Sequence, residues 1–209
     1  MLLVAGACGR VNYDALADDA ETDAAMDDCS MFTAPQLVAG VSTANSEFGP
    51  TLSPDGLQLF FHASRPEGLG SDDIYVSIRN SKDSDFGPGA LVNELSTANA
   101  DGAPELSGDG LTIYWSSQRD GGQGDGDIWF ATRASLSAPF GPPTNLTSVN
   151  SPADETGPEI SGDGLTLYFG SSRPGGTGAI NVWRASRQDL GSGFGVPVLA
   201  SSLNGIADI

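Results

Sequence analysis

The 209-residue chain carries 27 acidic against 9 basic side chains, a formal charge of −18. Such a surface repels a phosphate backbone rather than releasing its counterions, so nucleic-acid binding is not expected, and the protein face should not adhere to an anionic membrane. With 39% apolar residues and no apolar run near the ~18 residues that span a bilayer, the composition is that of one medium globular domain with a tail.

Residues 1–8, MLLVAGAC, are apolar and end in small residues before a cysteine. They resemble the end of a bacterial lipoprotein signal, in which Cys8 becomes the lipidated amino terminus after cleavage. Gly6 and Ala7 fit the small-residue box. Ala5 stands where Leu is usual, and the first basic side chain, Arg10, lies beyond the cysteine. The other reading is an unprocessed apolar terminus. Residues 9–36 hold seven carboxylates against one Arg; low hydrophobicity with like-charge repulsion predicts a disordered acidic tether, the alternative being a short helix over 15–26. Cys29 lies in this stretch, with no assigned role beyond pairing to Cys8 or to another chain.

From residue 37 onward one pattern occurs three times, over 51–79, 105–133 and 159–187, at a gap-free period of 54 residues. The middle copy reads ELSGDGLTIYWSSQRDGGQGDGDIWFATR. Asp55, Asp109 and Asp163 fall in register, as do Arg65, Arg119 and Arg173, and the aromatic residues Tyr75, Trp129 and Trp183. A fixed period of this size, with short apolar runs between Gly, Asp and Pro, is the mark of stacked repeats.

Within the middle copy, a short strand over 104–106 is followed by the tight SGDG turn, in which Asp bonds the backbone and Gly takes positive φ. In the next strand Leu111, Ile113 and Trp115 share one face and Thr112 and Tyr114 the other. A Gly-rich loop over 119–126 leads to a third strand over 127–132, and a fourth follows the PFGPP segment near Asn145 and Leu146. Four antiparallel strands per unit, apolar on both faces, make the blade of a β-propeller. The pattern PxLSxDGLxLYFxSxRxGGxGxxDIWxAxR resembles the TolB-type, WD-repeat-like propeller repeat, known from periplasmic and cell-envelope proteins and from propeller domains attached to some peptidases. The predicted fold is therefore all-β, a partial propeller of three four-stranded antiparallel blades over 37–209, with residues 203–208 matching the head of a further repeat. Closed propellers typically have about four to eight blades. A fragment of a longer ring, two arcs closing one ring by self-association, and a solitary arc with two bare sheet faces are the possible arrangements.

Candidate chemistry is sparse. The three Asp of the SxDG turns read as hairpin residues. The three Arg read as structural ion pairs or forks to backbone carbonyls, the alternative being a guanidinium ring for an anionic ligand. Asp125 and Asp127 in GGQGDGD are weak candidates for a cation, since carboxylates suit hard metals, but the spacing matches no EF-hand. His62 becomes Ser116 and Gly170 in the other copies and reads as a packing or surface residue rather than a base. Asp72 and Asp73 point to opposite faces of a strand and do not form an acid-base pair. No nucleophile elbow, zinc helix or phosphate loop is present. The expected function is a non-catalytic, envelope-anchored binding scaffold for a protein partner or an envelope polymer, needing no cofactor and touching the membrane only through its anchor. The alternative is a piece of a larger propeller enzyme, a glycan hydrolase or lyase or a peptidase-associated propeller, using loop carboxylates.

Overall fold

The computed structural model describes residues 34–203. The expectations for Cys8, Cys29, the acidic stretch up to residue 33 and the repeat head beyond residue 203 lie outside the described residues. All regular structure within 34–203 is β. The first blade comprises β1 (Glu47–Leu52), β2 (Gln58–Ala63), β3 (Asp73–Ile78) and β4 (Ala90–Leu91). The second comprises β5 (Asp101–Leu106), β6 (Thr112–Ser117), β7 (Asp127–Thr132) and β8 (Thr144–Asn145), and the third β9 (Glu155–Ile160), β10 (Thr166–Ser171), β11 (Asn181–Ser186) and β12 (Val198–Leu199). Each blade is a four-stranded antiparallel meander in sequence order. The protein is thus an all-β partial propeller of three blades.

The hairpin between the first two strands of each blade is built by side chains. Ser107 Oγ donates to Asp109 Oδ1 at 2.6 Å, that oxygen also accepts from Leu111 N at 2.9 Å, and Thr112 N donates back to Ser107 Oγ at 2.9 Å. Gly110 completes the turn at φ +70°, a conformation that costs glycine nothing. The first and third blades repeat the arrangement with Ser53 and Asp55, and with Ser161 and Asp163. These bonds, led by that from the serine hydroxyl, hold all three carboxyls below the usual aspartate range.

One boundary differs from the sequence reading, which began the first strand of the middle blade at residue 104. Pairing starts at Asp101, and Pro104 is accommodated by a β-bulge, where the register of β5 on β6 shifts between Gly102 and Glu105. The bulged residue takes a left-handed conformation in every blade: Gly49 at φ +55°, Ala103 at φ +52° and Gly157 at φ +57°. The ladder therefore resumes on both sides of the proline.

The blades stack through their faces. Phe60 and Ile74 of the first sheet share a core with Leu106, Ile113, Trp115 and Trp129 of the second. Tyr114 and Ile128, from the opposite face of that second sheet, share a core with Ile160, Leu167, Phe169 and Trp183 of the third. The alternation in β6 thus sends Trp115 to one seam and Tyr114 to the other. The two ends of the arc differ. On the first blade, the face turned away from the second is not bare, because Leu59, Phe61 and Tyr75 are buried in a cluster with Val38, Val41 and Phe86. On the third blade the outward face is open among the described residues: Arg184 stands exposed where the other blades place Val76 and Phe130, and Tyr168 is half-buried where Phe60 and Tyr114 are buried.

Candidate functional site

The arginines that recur at 54-residue spacing are engaged in tying each blade to the segment that leads into it. Arg119 Nη2 donates to the Leu95 carbonyl at 2.6 Å and to Asp101 Oδ1 at 2.7 Å, while its Nε donates to Ser117 Oγ at 2.8 Å. Arg173 makes the same bonds to Val149, Glu155 and Ser171. Arg65 reaches the Val41 carbonyl at 2.9 Å and Glu47 Oε1 at 3.1 Å. Each guanidinium lies over two aromatic rings: Phe61 and Tyr75, Trp115 and Trp129, or Phe169 and Trp183. The carboxylate partners Glu47, Asp101 and Glu155 are themselves 54 residues apart, a column that the sequence reading missed. Its signal was present but split between Glu and Asp inside a generally acidic chain. Such buried pairs are costly to break, because the partner left behind is a desolvated charge.

A second arginine column governs the seams. Arg79, Arg133 and Arg187 each donate Nε to the glycine carbonyl of their own blade's SxDG turn at 2.8 Å, and each lies over a phenylalanine at 4.6 Å. At the first seam, Arg133 Nη1 donates to Gln58 Oε1 of the preceding blade at 2.8 Å and to the Leu136 carbonyl at 3.0 Å. Gln58 Nε2 in turn donates to that same carbonyl at 2.9 Å. Pro54 packs over Gly110, where an added Cβ would come within 2.6 Å of the Pro54 ring. Arg133 is left 7% exposed.

The second seam has the same frame and different fillings. Gly108 stands in the place of Pro54 and Thr112 in the place of Gln58. The result is an open cleft of about 420 Å³, lined by the two SxDG turns with the exposed Asp109 and Asp163, by the exposed Leu190, and by Thr112, Tyr114, Phe130 and Arg187. Arg187 Nη1 is 3.5 Å from the Leu190 carbonyl, and Tyr114 stands in the place of Phe60 of the first seam. Burial raises the Tyr114 phenol, so the cleft presents a neutral hydroxyl, a guanidinium and two ionised carboxylates at neutral pH.

The remaining sequence candidates lie elsewhere. Asp127 is buried at the start of β7, and its Oδ2 accepts from Gln123 N at 2.9 Å and Gly124 N at 3.2 Å. It ties the Gly-rich loop to the strand, and burial raises its carboxyl. Asp73 does the same for the first blade through Leu69 and Gly70. Asp125 is exposed on that loop. Among the described residues, no group of three or more His, Cys, Asp or Glu could hold a metal ion. His62 sits at the first seam: Nδ1 accepts from Ala103 N at 3.1 Å and the ring stacks on Phe48. Burial lowers its pKa against the raising effect of Asp72. At the second seam Ser116 Oγ takes the same part, accepting from Gly157 N at 3.0 Å.

These features define the class, a stacked-blade β-propeller arc with an open seam. No family model matches the chain, and no curated protein matches it. Solved structures do. A provisionally assigned TolB from Agrobacterium tumefaciens superimposes with a TM-score of 0.51 at 21% identity, covering 79% of this chain and 51% of that one. The Hadza microbial sialidase Hz136 gives 0.48 at 14% identity, over 72% of this chain and 37% of that one. A puromycin-hydrolyzing peptidase of Mycobacterium tuberculosis gives 0.45 at 16% identity, over 74% and 23%. The likeness to the TolB structure is one of fold, and this chain spans about half its length.

Proposed function

We propose that the protein is a non-catalytic binding scaffold of the bacterial cell envelope. In this reading lipidated Cys8 anchors it, residues 9–36 hold the blades off the membrane, and the blades meet another protein or an envelope polymer. The observation that carries the reading is the second seam. The repeated Arg and carboxylate groups are engaged with the frame, whereas the copy-to-copy differences at residues 108 and 112 open a polar and aromatic cleft between two rigid sheets. Binding sites are typically concave, with a few fixed polar groups on an apolar lining, and the interblade core holds this one in place. The TolB-like fold and the acidic charge are consistent with a scaffold that does not contact nucleic acid.

The test is capture from detergent-solubilised bacterial membranes on the immobilised full-length chain at low salt. A specific partner, released by salt or by competing soluble chain, is the expected result. Recovery of nothing above the bare matrix would count against the scaffold.

A further inference from the structure

The first seam shows what the second can bind. At the first seam the Gln58 carboxamide places its oxygen on Arg133 Nη1 at 2.8 Å and its nitrogen on the Leu136 carbonyl at 2.9 Å. The equivalents at the second seam, Arg187 and Leu190, line the open cleft, and the residue in the place of Gln58 is Thr112, too short to span them. A planar group with an acceptor at one corner and a donor at the other matches that pair. A carboxylate has no donor for the Leu190 carbonyl, and a guanidinium has no acceptor for Arg187.

Resting on the scaffold reading, we infer that the second seam binds a glutamine side chain of a partner protein, with a lysine or arginine beside it. The carboxamide takes the two bonds that Gln58 makes at the first seam. Its aliphatic stem lies against Phe130 and Leu190, and the neighbouring cation meets Asp109 and Asp163 on the rim. Both carboxyls are held ionised by the serine and backbone bonds of their turns, and the chain's excess of 27 acidic over 9 basic side chains adds to the attraction.

The experiment titrates isotope-labelled full-length chain with the peptide Ala-Gln-Lys-Ala, with its Glu and Leu counterparts, and with N,N′-diacetylchitobiose, following amide and arginine Nε–H resonances. The Gln peptide is expected to saturate with a dissociation constant on the order of 1 mM, shifting resonances at 107–112, 162–165 and 187–190. The Glu and Leu peptides should bind about tenfold more weakly or less, as suits the loss of one charge-assisted bond. Thr112→Gln should fill the cleft and abolish binding. Pro54→Gly with Gln58→Thr, which copies both replacements found at the second seam, should open the first seam and double the peptide bound per chain, an arm that decides the matter should T112Q fail to fold. Equal binding of the Leu or Glu peptide, binding by folded T112Q, or an unchanged stoichiometry in folded P54G/Q58T would overturn the inference. Preference for the acetylated disaccharide would reassign the cleft to a glycan. Membrane capture that is equal for wild type and T112Q, while the peptide fails, sinks this inference alone; no capture by either sinks the scaffold reading.

Discussion

The bulge at the head of each blade allows a reciprocal test of how much backbone strain the arc holds. Ala103 has φ +52°, whereas its counterparts Gly49 and Gly157 adopt the same conformation without a Cβ. A left-handed L-residue costs roughly 1–2 kcal/mol, and glycine returns about 0.4–1 kcal/mol of that through the added freedom of its unfolded chain. Ala103→Gly should therefore stabilise the protein by about 0.5–1 kcal/mol. Its N–H bond to His62 is retained, because the backbone does not move. Gly157→Ala should do the reverse by a similar amount, since nothing lies within 4 Å of the Cβ it would add and only strain and unfolded-chain entropy change. Urea unfolding followed by circular dichroism reads both, and opposite shifts of midpoint at equal slope are the expected result. Two neutral substitutions, or two of the same sign, would refute the reasoning.

Other substitutions probe the repeated columns. Asp101→Ala should cost about 3–5 kcal/mol, because Arg119 and Trp115 lose a shared buried acceptor, and thermal melting measures it. Ala63→Ser should add about 1–2 kcal/mol. Ser117 and Ser171 accept Arg119 and Arg173 Nε in the other blades, and Arg65 Nε is buried without a partner among the described residues. His62, whose folded pKa lies below its usual 6.5, is neutral at the first seam. The unfolded chain takes up the proton first as pH falls, so stability should decline below about pH 6.5. His62→Ser, which copies Ser116, should flatten that part of a stability-pH profile. The turn aspartates, lowered from 3.8, contribute stability above that pH that is lost as pH falls through their folded values. Asp109→Asn should make the acid limb of the same profile shallower.

The fold was legible in the sequence because all three blades need the same residues in the same places. The SxDG turns, the alternation of Ile113, Tyr114 and Trp115, and the Phe-Gly pairs that begin at Phe86, Phe140 and Phe194 appear three times, and repetition separates their signal from chance. The strand start at Asp101 was hidden by Pro104, which reads as a strand terminator unless the bulge at Ala103 is known. The ion-pair column escaped because Glu47, Asp101 and Glu155 differ in type and are scattered among 27 acidic residues. Asp127 drew attention as a metal candidate because carboxylates and glycines cluster around it, whereas its bonds go to the backbone of its own loop. The cleft could not be read at all. It arises where Gly108 and Thr112 replace Pro54 and Gln58, and only the stacking of blades shows that these positions face Arg187 and Leu190 of the next unit.

Recurrence builds the arc, and difference at the second seam makes the site. Hydrogen exchange of the full-length chain, free and bound to its captured membrane partner, tests this most directly. The account predicts new protection at 107–112, 162–165 and 187–190, with the first seam unchanged. Protection confined to the first seam, to the loop around Asp125, or to the open face at Tyr168 and Arg184 would contradict it.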